Sequence, residues 1–463
     1  MTHPFKAVLA AAFFLIASAI AQKQLPPEGG APKDFVLPQK TVATLPNGLT
    51  LTLVPYGEIP KVSISVVVRA GNLNEAADQV WLADVLGDLM KEGTTTRSAA
   101  QVAQDAAGMG GNVNVNVGMD VTTISGDVLS EEAPQFIRLL GEIVRHPLLP
   151  GSELARIIND KVRELSVSRS QPGPLALEEF RRLLYPNHPY GRVFPTQEML
   201  KGYTIDEVRK FYAANFGAQR TAIFVAGMFD KSDVAQAVQD AFGDWVQGPA
   251  IFVDVPKPTT RQSFGLVERP GAPQSTIYFG IPVVNPSDKD YVKMVVTNSL
   301  LGGSFASRIT SNIRERKGYT YSPYSQLSTR YRDAYWVEVA DVGTDVTGAA
   351  LKEIVGEIRR LQSEPPPEAE LRGIQNYLAG TFVLQNSTRQ GIIGQLAYLR
   401  LNELPDSYLT EYVKHVYAVT PADVQKMTQE YLRDKDMTLV IVGDKKKVED
   451  QIKDYEKPVP EKQ

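Results

Sequence analysis

Hydrophobic positions along this chain follow two periods. Strict alternation marks "KVSISVVVRAG" (Lys61–Gly71) as a strand. Alternation also marks "TVATLPNGLTLTLVPY" (Thr41–Tyr56) as two runs about Asn47-Gly48, a dipeptide that favours hairpin turns. Helical spacing predicts helices around Asp78–Lys91, Ala99–Ala107, Glu131–Val144 and Ser152–Ser168. A further helix is expected after the "QPGP" break at Gln171–Pro174. Between them, "GGNVNVNVGMDVTTISGDVL" (Gly110–Leu129) returns to period two and reads as a strand or strand pair.

The pattern repeats. "YTIDEVRKFYAANFGAQRTAIFVAG" (Tyr203–Gly227) matches "VTPADVQKMTQEYLRDKDMTLVIVG" (Val419–Gly443), with Val208 on Val424 and Gly227 on Gly443, both 216 residues apart. Each copy is a capped helix, a short turn and an apolar strand ending in glycine. Leu154 and Leu371 match at nearly the same spacing, 217 residues. The chain is therefore expected to be an α+β protein of two homologous halves, each a mainly antiparallel sheet packed with helices. The boundaries drawn are a signal peptide at 1–21, a Pro-rich lead at 22–40, a first domain at 41–248, a linker at 249–262, a second domain at 263–455 and a polar tail at 456–463.

Composition narrows the function. With 43% hydrophobic and 22% charged residues, ordinary buried cores are expected. A net charge of −4 argues against a nucleic-acid partner. "MTHPFKAVLAAAFFLIASAIA" has one early lysine, a short apolar run and a small-x-small close, the form of a secretory signal peptide; an uncleaved anchor is the other reading. Export to the periplasm or medium follows, with no stable membrane insertion after cleavage. Zero cysteines excludes disulfides, thiol catalysis and cysteine zinc sites.

The chemistry-bearing stretches are few. "LADVLGDLMKEGT" (Leu82–Thr94) places Asp84 and Asp88 on one helix face, where like charges repel. Too few oxygens follow them for a calcium site, so they are expected to be a solvated or partner-facing pair. His3, His146, His188 and His415 are isolated, with no zinc-binding spacing. Ser304 in "LGGSFASR" lacks a nucleophile elbow, and neither "GMGGN" nor "LGGS" is a phosphate loop. "SNIRERKGYTYSPYSQLSTRYRDAYW" (Ser311–Trp336) is dense in Arg and Tyr. It suits recognition of peptide carbonyls and carboxylates, or equally an amphipathic helix followed by an aromatic strand.

Taken together, "KEGT", "GGNVNVNVGMDVTTI", "HPYGR" (His188–Arg192) and "LGGSFASRITSNIRERKGYTYS" (Leu301–Ser322) resemble the pitrilysin/insulinase zinc peptidases, particularly short bacterial members akin to mitochondrial processing peptidase. In that family the early helix carries H-x-x-E-H, two zinc-binding histidines around a glutamate base. Counted back from Gly93-Thr94, those positions hold Asp84, Gly87 and Asp88. Glycine cannot accept a proton from water, and two aspartates make a poor zinc site. The family's distal zinc-binding glutamate falls in "IINDKVREL" (Ile157–Leu165), at Asp160 or Glu164.

The resemblance also implies what is kept. An arginine and a tyrosine of the second half that reach substrate match Arg314 and Tyr321, and an asparagine near the bound peptide matches Asn114. Some family members split zinc and the Arg/Tyr half between two subunits. The chain is thus expected to be the non-metal-binding subunit of an exported heterodimeric peptidase. It would bind no cofactor itself, with zinc in a homologous partner and an extended peptide as substrate. The alternatives are a catalytically inactive structural or binding homologue, or an active metallopeptidase with an atypical metal site.

Overall fold

The computed structural model describes residues 35–455; the expected signal peptide, most of the Pro-rich lead and the tail lie outside the described residues. Among the described residues no helix is long and apolar enough to cross a membrane.

The first half begins with strands β1 (Thr41–Thr44), β2 (Thr50–Pro55) and β3 (Lys61–Val68). Helices α1 (Leu82–Leu89) and α2 (Ala99–Gly108) lead into the hairpin β4 (Asn114–Val117) and β5 (Thr122–Leu129). Helices α3 (Ala133–Arg145), α4 (Gly151–Ser170), α5 (Pro172–Leu184) and α6 (Ile205–Asn215) follow, then β6 (Thr221–Gly227) and α7 (Lys231–Phe242). The sheet order is β1-β2-β6-β3-β5-β4, with β2 and β6 parallel and every other pair antiparallel. β4 is therefore a free edge.

The second half repeats this plan. β7 (Ser263–Glu268) and β8 (Gln274–Pro282) precede α8 (Tyr291–Asn298), which runs into a π-helical turn at Ser299–Gly303; a second π-helical turn covers Thr310–Arg316. The hairpin β9 (Tyr324–Arg330) and β10 (Asp333–Gly343) follows, then α9 (Thr347–Ser363), α10 (Glu368–Gln385), α11 (Arg389–Leu401), α12 (Pro421–Tyr431) and β11 (Thr438–Gly443). Its order, β7-β11-β8-β10-β9, copies that of the first sheet without β1, again with one parallel pair.

Local chemistry explains most boundaries. Ser98 with Gln101, Thr204 with Glu207 and Thr420 with Asp423 form capping boxes at the starts of α2, α6 and α12, each contributing about 1 kcal/mol. The Asn47-Gly48 turn is wider than a two-residue hairpin. Register closes at Thr44 opposite Thr50, and the Asn47 amide donates to Phe242 O and Trp245 O, tying the loop to the end of α7. The helix expected at Asp78–Lys91 is shortened to α1 because Trp81 takes a left-handed conformation, φ 71°. In the Ser311–Trp336 stretch the helical part is a π-helical turn, and the aromatic strand that follows is a hairpin whose corner is Arg332 at φ 53°.

Each half lends one helix to the other's sheet. α5 packs on β7, β8 and β11 of the second sheet, where Phe180 lies edge-on to Tyr335 at 5.4 Å. α11 packs on β3 and β6 of the first sheet, burying Ile392, Ile393, Leu396 and Leu399 in one core with Ala222, Phe224 and Ala226. Both helices are 13 residues long, and Pro172 and Arg389 keep the 217-residue spacing of the repeat. The two halves thus share cores rather than touching at a surface, which fixes one sheet against the other.

Candidate functional site

Helix α1 is held by its first turn. The Trp81 indole N–H donates to Val193 O at 3.0 Å, and its ring meets Phe194 edge-on at 5.8 Å. These contacts hold a backbone conformation that costs a non-glycine residue about 1–3 kcal/mol. One turn on, the Asn72 amide donates to both Asp84 (2.7 Å) and Glu75 (3.1 Å), and Glu75 also accepts from the Ala83 N–H at 2.9 Å. Burial pushes the Glu75 carboxyl up to about 8, against that backbone bond, with Asp84 adding to the rise. Burial likewise raises Asp84, opposed by the Asn72 bond and Lys161 and reinforced by Glu164 and Asp88.

Asp88 faces α4. Its carboxylate pairs with Lys91 at 2.7 Å and with Lys161 at 3.1 Å, and Lys161 also pairs with Glu164 at 3.0 Å. Burial works against the Asp88 charge, but the two ammonium groups outweigh it and hold the acid below its usual range. Burial also opposes the Lys161 charge; Asp88 and Glu164 more than offset that and raise it. Lys161 is only 12% exposed. Its ammonium therefore lies between the carboxylates of α1 and α4, 6.0 Å from the Trp81 ring centre.

Two expectations change here. The acids of α1 are not a solvated pair: Asp84 is half-buried and bonded to Asn72, and Asp88 is ion-paired. Of the two distal candidates, Glu164 is the one that shares a cation with Asp88; Asp160 instead binds Arg156 and Arg163 on its own helix.

Gly87 is buried against the edge hairpin. A Cβ there would lie 2.6 Å from Val117 Cγ2 and 3.6 Å from Val115 Cγ1. The space a longer side chain would need is filled by β4. Zinc, which H-x-x-E-H would bind, does not fit this donor set: the carboxylates already surround an ammonium, and no imidazole is at hand. Among the described residues no group of three or more His, Asp or Glu is placed to hold a metal ion. His188 is structural, its Nδ1 accepting from Tyr190 N–H at 3.2 Å and its Nε2 3.4 Å from Asp254. In the same "HPYGR" stretch the Tyr190 hydroxyl donates to Asp120 at 2.6 Å, and Arg192 donates to Glu75 O at 2.9 Å.

A stability measurement tests the buried acid. The folded chain holds the Glu75 proton to about pH 8, whereas an unfolded carboxyl releases it near 4.5. Its contribution is therefore fully present below 4.5 and declines as pH rises towards 8. Glu75→Gln is expected to remove about one proton from the pH dependence of urea unfolding across that window. An unchanged slope would show that Glu75 titrates normally.

The second half presents a different group. Arg314, in the π-helical turn, lies between two rings, 4.5 Å from the Phe305 centre and 4.8 Å from Tyr321, with Glu315 at 3.2 Å. Phe305 is 69% and Tyr321 79% exposed, so large aromatic surface faces solvent around a cation. Every polar and ring contact of the Arg314 and Tyr321 side chains among the described residues falls between Phe305 and Tyr321; none joins them to α1. Asn114 is exposed on the free edge β4 and accepts from Asn112 at 3.0 Å. Sequence reasoning missed Phe305, a lone aromatic in a run of small residues, and Lys161, which lies between the two distal candidates Asp160 and Glu164.

The fold and site define a protein of two repeated α+β domains whose α1 presents carboxylates around an ammonium. Comparison with known proteins gives the family. The model described as insulinase (peptidase family M16) matches residues 55–194, and that described as peptidase M16 inactive domain matches residues 202–378. The chain belongs to peptidase family M16, the insulinase family, and its halves are two M16-type domains. Uncharacterized zinc proteases of Bacillus subtilis (24% identical, covering 74% of this chain and 83% of that one) and Mycobacterium tuberculosis (25%, 83% and 86%) are among its relatives. A crystal structure of a peptidase M16 inactive domain from Pseudomonas fluorescens superposes with a TM-score of 0.81 at 24% identity, over 88% of this chain and 98% of that one. A Helicobacter pylori protease gives 0.83 at 19%, over 88% and 100%.

Proposed function

We propose that this chain is the non-metal-binding subunit of an exported, two-subunit zinc peptidase. The observation that carries this reading is the half-buried Arg314 beside the exposed Tyr321, on a chain whose own α1 has Lys161 among its carboxylates and Val117 against Gly87. Zinc and the general base then belong to a homologous partner subunit. Arg314 binds a carbonyl or carboxylate of the peptide in forked geometry, and the Tyr321 hydroxyl donates beside it. An extended substrate adds as a strand to the free edge of β4, next to Asn114. Relatives named as zinc proteases and the match to an inactive-domain model support the reading.

The test mixes the purified chain with a homologue from the same genome that carries an intact H-x-x-E-H. Alone, the chain should not cleave an unstructured fluorogenic peptide, and a chelator should change nothing. With the partner, cleavage should appear. Arg314→Ala and Tyr321→Phe are then each expected to lower kcat/KM by about 100-fold, the range for losing a positioned donor. Unchanged rates in both variants, or stoichiometric zinc on the isolated chain, would overturn the proposal. Peptide binding without cleavage in the mixture would mean a binding homologue instead.

A further inference from the structure

A second feature lies away from α1 and from the Arg314 cluster. Where α11 crosses the first sheet, a cavity of about 200 Å³ opens between the halves. Its walls are apolar, from Val67 of β3, Phe224 of β6, Ile251 of the linker and Leu401 of α11. Three guanidinium groups, Arg69, Arg220 and Arg400, line it together.

Their charges are only partly balanced, by the charge of Glu403, which feels Arg69 as well as Arg332. Arg220 is 6% exposed and donates to the carbonyls of Pro249 and Ala250 and to Asn215 Oδ1, all neutral acceptors. Arg69 stacks over Tyr331 at 4.1 Å, and among the described residues neither it nor Arg400 forms an ion pair. Burial, then the charge of Arg69, lowers both Arg220 and Arg400 below the usual arginine value. Among the described residues, Glu403 is the one carboxylate lining the cavity. It is already taken by the Arg332 guanidinium and by the Tyr331 hydroxyl at 2.8 Å. Like charges around an apolar cavity repel more strongly than on a surface, so a chain that keeps them there leaves a place for an anion.

The shape restricts which anion. Inorganic phosphate alone would leave the apolar walls unfilled, and the cavity is below the size that holds a drug-like ligand. We propose that the Arg69–Arg220–Arg400 cavity binds a small amphiphilic organic anion, a carboxylate or phosphate monoester on a short apolar body. The guanidinium groups of Arg69 and Arg400 take the head in forked geometry, the Arg220 charge adds to the attraction while its own donors stay on Pro249, Ala250 and Asn215, and Val67, Phe224, Ile251 and Leu401 cover the body. Because α11 and the first sheet come from different halves, the ligand bridges them and stabilises the folded chain by mass action.

The experiment uses the full chain and three eight-carbon probes, octanoate, octyl phosphate and octylammonium, with octanol and inorganic phosphate as controls. Binding is read by titration calorimetry and by the thermal midpoint. Octanoate or octyl phosphate should bind saturably at one site and raise the midpoint, and whichever binds tighter identifies the head group. Octylammonium and octanol should not bind, and inorganic phosphate should bind at least tenfold more weakly than the better anion. Arg69→Gln and Arg400→Gln should each weaken that anion about tenfold or more. Equal binding of octanol and octanoate would overturn the proposal without any variant, as would folded variants that bind the anions like the parent chain.

Discussion

Rebuilding the zinc motif by Asp84→His, Gly87→Glu and Asp88→His is expected to yield a destabilised chain that takes up no zinc. The reason lies off the helix. At position 87 even a Cβ would sit 2.6 Å from Val117 Cγ2, and overpacking of this kind costs about 1–3 kcal/mol. Histidine at 88 removes one of the two acids that hold Lys161, leaving its mostly buried ammonium on Glu164 alone. That ammonium still occupies the gap a metal would need, and it repels a dication. Histidine at 84 also loses the acceptor for Asn72, which would then serve only Glu75. Urea unfolding and metal analysis of the purified triple variant check both halves of the expectation. Adding Val117→Ala and Lys161→Gln is expected to restore stability and allow zinc uptake. Stoichiometric zinc in the triple variant at parental stability would refute the account.

Glu338→Met is expected to make the protein more stable, by about 1–3 kcal/mol at pH 8, the cost of a buried carboxyl without a partner. Glu338 is fully buried on β10, between Phe279 and Ser325 in the sheet. Among the described residues neither of its oxygens has a hydrogen-bond partner, and the nearby Ser325 hydroxyl donates to Asn298 instead. It lies under the π-helical turn, with Oε2 2.5 Å from where a Cβ on Gly302 would be, so only glycine passes over it. Carrying the Gly227–Gly443 match through the strand registers pairs Glu338 with Ile124, a fully buried core residue of the first sheet. The second half therefore holds an acid where its copy holds an apolar side chain. Burial raises this carboxyl well above its usual value. The folded chain binds the extra proton, so the Glu338 contribution is greatest below the unfolded value of 4.5 and worsens as pH rises. The gain from methionine should accordingly grow with pH. Equal or lower stability of the variant at pH 8 would mean that the carboxyl has a partner in solution.

Much of the architecture was legible from short-range terms. The alternating runs, the threonine-capped helices and the glycine-ended strands of the two copies are set by periodicity and by caps within three or four residues. They appear as α6–β6 and α12–β11. Asp84, Gly87 and Asp88 could be set against the family's metal motif because they lie in one stretch counted from one anchor. What failed was context. The run from Ser311 to Trp336 was open between recognition and helix because its outcome depends on β10 pairing with both β8 and β9. Asp84 and Asp88 read as solvated because their neighbours, Asn72 and Lys161, come from outside the helix.

The sequence by itself determined two α+β copies, an α1 without histidine or glutamate, and a second half dense in arginine and tyrosine. Only the tertiary structure decided that Lys161 fills the place between α1 and α4, that Val117 closes the space beside Gly87, and that α5 and α11 cross to each other's sheets. Periodicity and capping act over a few residues, so they are written locally. Those contacts join residues such as Gly87 and Val117, 30 positions apart, and Phe180 and Tyr335, 155 positions apart, and their geometry follows from how the two sheets and their exchanged helices pack.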